Sequence, residues 1–472
     1  MQLKSTLRHL VPGSAFLALI LFAAPGSGQQ ILPRPIGHPV LPTGGSGSTP
    51  GQSTTTRAAV MPSTLVVPES SRADSSDLGK KAHTNIRFIN PGFANPMEAP
   101  PSSNYAYETP TSLACVYKMV ATTPVYCNPN TVTVVNSGGS QSIAIVDAYD
   151  DPEAAPDLAY FSAQFGLPFS VSKFQVVYAG GSQPEIDLSG GWELEESLDI
   201  EYAHAMAPGA TIYLVEAQSN AFSDLFNAVT EATNIIQCQN FTTTPGACGA
   251  SPTGKGEVSM SWGSAEFSGE TANDALFNQK NVVFLASTGD APGPSYPAVS
   301  PNVVAVGGTS ISRNACCADY LREDSWSDAG GGPSVYEKIP SYQSAHAAVA
   351  TYIATGQRGT PDVAAVANPY TGVWVYNSMP TDFFFYPSSW WVVGGTSVSA
   401  PVWTGIINKA GSFAASTNAE LTAIYNNVGT SAYATNFHDV NYGDCYYYMA
   451  RQAAPGYDYC TGIGSPLGVA GK

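Results

Sequence analysis

Two short stretches hold the residues best suited to chemistry. The first, GWELEESLDIEYAHAMAPGA (Gly191–Ala210), carries five carboxylates between Glu193 and Glu201: Glu193, Glu195, Glu196, Asp199 and Glu201. Only 12% of the chain is charged, so five groups of one sign in nine positions call for a reason. Laid on a helix, Leu194, Leu198, Tyr202 and Ala205 form an apolar stripe at spacings of four, four and three. Glu195 and Asp199, four apart, stack on one edge of that stripe, while Glu193, Glu196 and Glu201 are expected to face solvent or make local contacts. Two carboxylates buried together share a proton, with one pKa raised and the other lowered. Such a pair can replace histidine at low pH, Glu195 taking a proton from a hydroxyl and Asp199 orienting it.

The second stretch, VVGGTSVSAPVWTGIINKAG (Val392–Gly411), supplies the hydroxyl. Two glycines permit a tight approach, Ser397 follows, and an apolar helix with Pro401 expected in its first turn begins at once. There the serine oxygen lies near unpaired backbone N–H groups at the positive end of a helix dipole, which favours the negative charge that develops in acyl transfer. The plainer alternative is a Ser or Thr cap ahead of a buried helix. A nucleophilic serine needs a base, most often histidine. Of six histidines, His9, His38 and His83 lie near the N-terminus, leaving His204, His346 and His438. Asp147, His204 and Ser397 occur in an Asp, His, Ser order, so a histidine triad stands as the alternative to the acid pair.

The elements that must position these residues are legible as apolar runs. SIAIVDAY (Ser142–Tyr149), ATIYLVEA (Ala210–Ala217), GEVSMSWG (Gly256–Gly263), NVVFLAS (Asn281–Ser287) and NVVAVGGT (Asn302–Thr309) read as buried strands. Helix-like stretches lie between them, including SDLFNAVTEATNII (Ser223–Ile236). This alternation implies an α/β fold, a mainly parallel sheet with helices on both faces in a single domain. Sites in such sheets lie beyond the C-terminal ends of the strands, where Asp147, Ser261–Gly263 and Asp290 are found.

Composition bounds the rest. The 472 residues include 36 acidic and 19 basic ones, a formal charge of -17, so no basic stripe exists to track a nucleic-acid backbone. Lys4 and Arg8 precede the apolar run Ser14–Ala24 and small residues, as in a secretory signal peptide cleaved near Gly28. The expected organisation is residues 1–28 signal peptide, 29–104 a low-complexity leader or short propeptide, disordered to about Asn85, and 105–472 the folded domain. The mature chain is expected to be exported, extracellular or periplasmic, free of membrane spans and monomeric. Eight cysteines suit that compartment; Cys115 with Cys127, Cys238 with Cys248 and Cys445 with Cys460 are the expected pairs, and adjacent Cys316 and Cys317 either form a vicinal disulfide or stay reduced.

The string Gly-Thr-Ser-x-Ser-x-Pro resembles the nucleophile motif shared by subtilisin-like peptidases and sedolisins, the serine-carboxyl peptidases. Glu-x-x-Leu-Asp from Glu195, followed by an Ala-Pro-Gly-Ala turn and a strand, is similar to the sedolisin catalytic helix. The resemblance continues through VSMSWGSAEF, LASTGDAPG, SYPAVSPNVVAVGGT and RGTPDVAAVANPYTG, covering roughly Tyr105–Lys472. It implies a peptidase with Ser397 as nucleophile, Glu195 as general base, Asp199 as its partner, and Asp290 donating a protonated carboxyl to the oxyanion, with Ser261, Trp262 and Gly263 along a bound peptide. FHDVNYGD and AAPGYDYCTGIGSP resemble the family's calcium loop, which implies Ca2+ held by Asp439 and Asp458 carboxylates and the carbonyls of Val440, Ala454 and Gly456. The implied partners are protein or peptide substrates. The chain departs from the family in its short leader, where a large folded prodomain is common.

Overall fold

The computed structural model describes residues 65–89, 99–103, 105–238, 252–379, 389–445 and 451–472, all within one compact unit, Thr56–Lys472. The signal peptide, the earlier part of the leader and Cys248 lie outside the described residues.

Strands in chain order are β1 (Leu65–Val66), β2 (His83–Thr84), β3 (Arg87–Ile89), β4 (Ser142–Ala148), β5 (Phe174–Tyr178), β6 (Thr211–Ala217), β7 (Gly256–Met260), β8 (Trp262–Ala265), β9 (Val282–Ser287), β10 (Ser295–Tyr296), β11 (Val304–Arg313), β12 (Tyr320–Ser325), β13 (Gly332–Lys338), β14 (Gln357–Thr360), β15 (Val363–Val366), β16 (Val373–Tyr376) and β17 (Trp390–Gly394). The helices that matter here are α1 (Pro110–Val116), α2 (Ala154–Phe165), α3 (Gly191–Met206), α4 (Phe222–Cys238), the short α5 (Ser341–Ser344) and α6 (Ala347–Ile353), and α7 (Thr396–Lys409). The main sheet runs β12-β11-β9-β7-β4-β6-β5 with β15 also on β11, and all its pairings are parallel except β11 with β12.

The reason for the parallel arrangement is visible in β4, every residue of which is buried. Its side chains alternate between faces: Ala144, Val146 and Ala148 join the core under α4, whereas Ile143 and Ile145 pack with Ile200 and Ala203 of α3. By the same period of two, Asp147 falls on the α3 face. The five apolar runs expected as strands and the helices expected between them are all present, with ends that coincide or differ by at most four residues.

The leader differs from expectation. Instead of disorder up to Asn85, residues 65–89 form three strands joined to the body: β2 pairs antiparallel with β8, and β3 lies between β1 and β17. Ile86, Phe88 and Ile89 are fully buried, which supplies the apolar burial that the flanking Pro-, Gly- and Ser-rich sequence lacks. Disulfides join Cys115 to Cys127 and Cys445 to Cys460. Cys238 is also disulfide-bonded, and its expected partner lies outside the described residues. Cys316 and Cys317 are free and exposed, their sulfurs 2.6 Å apart. Among the described residues no helix is long and apolar enough to cross a membrane.

Candidate active site

Helix α3 is enclosed on every side, and all sixteen of its residues are buried. The expected stripe of Leu194, Leu198, Tyr202 and Ala205 does enter the largest core cluster, but the opposite face is covered too, because α2, β4, β16 and α7 surround it. Glu193, Glu196 and Glu201 are therefore not on a solvent face. Glu201 accepts the Tyr376 N–H at 3.2 Å, while Glu196 sits beside Glu216 and Asp151. Without water to stabilise charge, burial pushes the carboxyls up: Glu193 to about 9, Asp151 to about 8, Asp157 to about 7 and Glu216 to about 10. Sequence periodicity reports one face of a helix and is silent about what later packs on the other.

Ser397 is the second residue of α7. Gly395 precedes the helix at φ 108°, a conformation costly for other residues, and a Cβ there would meet the Asn85 carbonyl oxygen at 1.9 Å and Asp290 Oδ2 at 2.6 Å. Pro401 lies inside the helix in its second turn, not the first as expected, four residues beyond Ser397. Lacking an N–H, it leaves the Ser397 carbonyl without its helical donor, and the Ser261 hydroxyl donates to that carbonyl at 3.3 Å.

The acid pair converges on this serine. Ser261 Oγ donates to Asp199 Oδ1 at 2.9 Å, and the Ser397 hydroxyl donates to the Ser261 carbonyl at 2.9 Å. Glu195 is close enough for Ser397 to favour its charged form, but burial first, and then the charges of Asp199 and Asp147, hold its carboxyl well above the usual range. Desolvation does the same to Asp199. Among the described residues neither Glu195 oxygen nor Asp199 Oδ2 has a hydrogen-bond partner, although all three are buried. Asp147 completes the group from the end of β4, its carboxyl raised by burial and by Asp199 and Glu216.

Asp290 arrives from the loop after β9. Its Oδ1 accepts the Thr396 N–H at 2.8 Å and the Thr396 hydroxyl at 2.9 Å, capping α7, while buried Oδ2 has no partner. Desolvation raises this carboxyl to about 7 against the opposing pull of Arg87. A neutral carboxyl so placed presents a donor at the helix end where Ser397 sits.

His204 is not brought to Ser397. It packs edge-on against Phe169, with ring centroids 5.9 Å apart, and burial lowers its pKa to about 4. The Asp147–His204–Ser397 triad is therefore not assembled. The residues that sequence reasoning missed are Thr84, Asn85 and Arg87. Asn85 donates its N–H to Ser397 Oγ at 3.1 Å and accepts the Ser397 N–H at 3.2 Å. Its side-chain amide donates to Ser287 Oγ at 2.7 Å. His83 and Thr84 pair with Gly263 and Trp262, and the Trp262 indole donates to the Val146 carbonyl at 2.7 Å. The only sequence signal was the short apolar alternation of Ile86 and Phe88 inside a polar tract.

The C-terminal loop gathers the residues named for a metal. Asp439 accepts the Gly456 N–H at 3.0 Å, and Asp458 Oδ2 accepts the Ala454 N–H at 2.9 Å. The Thr461 hydroxyl donates to the Val440 carbonyl at 3.3 Å. Among the described residues no group of three or more His, Cys, Asp or Glu side chains could hold a metal. The loop offers two carboxylates with carbonyls, and burial raises both carboxyls, Asp458 to about 6. An all-oxygen set with two anions fits a hard divalent cation.

The model of the subtilase family of peptidases matches residues 185–438. Kumamolisin from Bacillus sp. (strain MN-32) is 32% identical over 367 residues, 70% of this chain and 59% of that protein. Sedolisin from Pseudomonas sp. (strain 101) is 26% identical over 380 residues, 75% of this chain and 59% of that protein. The chain thus spans about three fifths of the length of these relatives. In structure, it resembles Pseudomonas sedolisin, a serine-carboxyl proteinase solved with two molecules of pseudo-iodotyrostatin, with a TM-score of 0.57 at 22% identity, over 76% of this chain and 95% of that one.

Proposed function

We propose that this chain, which belongs to the subtilase family and to its sedolisin branch, is a serine-carboxyl peptidase that cleaves peptide bonds in acid through an acyl-enzyme on Ser397. The observation that carries the reading is the fully buried pair Glu195 and Asp199, bridged to Ser261 through Asp199 and set beside a serine at the amino end of a helix. In this reading the substrate lies along β8 as an added strand, bonded to the main chain of Ser261, Trp262 and Gly263. Glu195, the ionised member of a pair that shares one proton, takes the Ser397 proton as the oxygen attacks the carbonyl, Asp199 keeps the proton the pair already held, and Glu195 returns the new proton to the leaving amine. The Ser397 N–H and the protonated Asp290 carboxyl stabilise the oxyanion. Secretion rests on the N-terminal basic and apolar pattern. Hydrolysis of unstructured peptides, measured from pH 3 to 8, is expected to peak in acid and to vanish in Ser397→Ala; a maximum above neutrality would refute the acid mechanism.

Asp290 has a sharper test. Its Oδ1 acts as acceptor and its Oδ2 as donor, a division that an asparagine amide reproduces. Asp290→Ala is expected to lower kcat by about 10²–10³-fold. Asp290→Asn should keep most of the activity and, unlike the wild type, show no loss as the pH passes about 7, where the native carboxyl deprotonates. Equal losses in both variants would remove Asp290 from the oxyanion site.

Calcium is proposed for the loop of Asp439, Val440, Ala454, Gly456 and Asp458, where it would cross-link the C-terminal segment and neutralise two carboxylates. A metal bound only by the folded state must stabilise it. Excess chelator is therefore expected to lower Tm, and Asp458→Asn to remove the response; a Tm indifferent to chelator would dismiss the site.

A further inference from the structure

Away from the catalytic helix, the fold sets two thiols against each other. Cys316 and Cys317 lie in the loop of residues 314–319 that joins β11 to β12. Neighbouring side chains of a strand point to opposite faces, so adjacent cysteines meet only where the chain turns. Here the turn is well defined. The Asn314 N–H donates to the Asp319 carbonyl at 2.8 Å, and the Asn314 carbonyl accepts the Ala318 N–H at 2.8 Å and the Cys317 N–H at 3.3 Å. The Asn314 side chain accepts the Cys316 N–H at 3.1 Å, and Ala318 adopts a left-handed conformation at φ 57°. Both sulfurs are thereby exposed and face each other 2.6 Å apart, in the reduced form.

A second segment braces this turn. The Asn128 amide donates to the Asp319 carboxylate at 3.0 Å and also to the Cys317 carbonyl. Arg313, held by Glu108, donates to the carbonyls of Cys127 at 2.9 Å and Ala318 at 3.0 Å. Beside the thiols opens a cavity of about 350 Å³, lined also by Tyr105, Asn128, Thr131 and Arg313. That volume is at the small end of ligand cavities, so a small reactant reaches the sulfurs. The two thiols are not equivalent. Its hydrogen bond with Cys316 pushes the Cys317 thiol up to about 11, so Cys317 keeps its proton and Cys316 is the first to react.

We infer that Cys316 and Cys317 form a redox site, a dithiol that exchanges two electrons with small thiol–disulfide couples and closes into a ring between adjacent residues. The Cys316 thiolate attacks one sulfur of a small-molecule disulfide, and the first small thiol leaves. Cys317 then gives up its proton, and its sulfur attacks Cys316 Sγ in the mixed disulfide, releasing the second. One external disulfide becomes two thiols, and the protein dithiol becomes a disulfide, with its two protons passed to the leaving groups. The five other described cysteines are all disulfide-bonded, so the fold suits conditions in which thiols oxidise. The ring reopens readily for a geometric reason. Adjacent Cα atoms stand about 3.8 Å apart, short of the roughly 4.4–6.8 Å that a relaxed disulfide spans, and a strained, exposed disulfide is the labile kind. Cys115, Cys445 and Cys460, by contrast, are fully buried.

The test equilibrates the folded full chain in buffers of graded reduced-to-oxidised glutathione ratio, blocks free thiols with N-ethylmaleimide and maps the adducts by peptide mass spectrometry. In oxidised glutathione, residues 316 and 317 are expected to take up no maleimide. As the ratio rises they should gain two adducts together, at a poise at least about ten-fold less reducing than the one that opens Cys115–Cys127 or Cys445–Cys460. Cys317→Ser removes the resolving thiol, so one glutathione should stay trapped as a mixed disulfide on Cys316. Free thiols at both positions in oxidised glutathione, a pair that opens only together with the buried disulfides, or a Cys317→Ser chain that takes up no glutathione would each overturn the inference.

Discussion

Glu195→Gln is expected to lower kcat/KM for peptide hydrolysis at the acid optimum by about 10²–10⁴-fold, the range spanned by loss of a general base. Asp199→Asn should cost about 10²-fold or more, whereas His204→Ala should change the rate by less than about three-fold. These outcomes follow from placement: Asp199 takes the Ser261 hydroxyl and raises Glu195, while His204 is packed against Phe169. The glutamine keeps the size of the buried side chain and removes a group that costs stability once ionised, so Glu195→Gln should melt no lower than the wild type. That control separates lost chemistry from lost fold. A Glu195→Gln enzyme of normal activity, or a dead His204→Ala enzyme that still folds, would end the acid-pair mechanism.

The second large effect is on stability. Around α3 lie Glu193, Glu195, Glu196, Asp199 and Glu201, faced by Asp147 of β4, Asp151, Asp157 of α2 and Glu216 of β6, all buried. No Lys or Arg appears among the causes of their shifts, and each carboxyl is raised chiefly by desolvation. Below about pH 4 these groups are protonated both folded and unfolded. As pH rises the unfolded chain releases its protons first, near the ordinary carboxylate values, whereas the folded chain keeps them until about 7 for Asp157, 8 for Asp151, 9 for Glu193 and 10 for Glu216. The unfolded state then holds fewer protons than the native one, so stability falls from about pH 4 upward. Two such groups alone remove about 2.7 kcal/mol per pH unit, set against a total of about 5–15 kcal/mol. We expect Tm to drop by about 10 °C or more between pH 4 and 8, and Glu196→Gln with Glu216→Gln to reduce that drop. A flat Tm over this range would show that the cluster is relieved by other means.

Both effects also account for the five carboxylates that stood out in a sequence sparing of charge. They line not a solvated face but a helix interior, which tolerates them because the carboxyls outside the Glu195–Asp199 pair keep their protons.

Much of this was settled locally and could be read from spacing. Glu195 and Asp199 share a helix side because they are four apart, Ser397 sits at the amino end of a helix because one starts at Thr396, and β4 is covered on both faces because it is apolar at five of its seven positions. What remained hidden depends on partners distant in the chain. Asn85 and Ser397 are 312 positions apart, and a short apolar alternation in a polar tract does not say which edge it will join. The all-round burial of α3, the packing of His204 on Phe169 and the Ser261 bridge to Asp199 likewise come from elements brought together only in the folded chain. Sequence periodicity records which side of an element is apolar; only tertiary packing decides what covers the other side, and hence whether a carboxyl there keeps its proton.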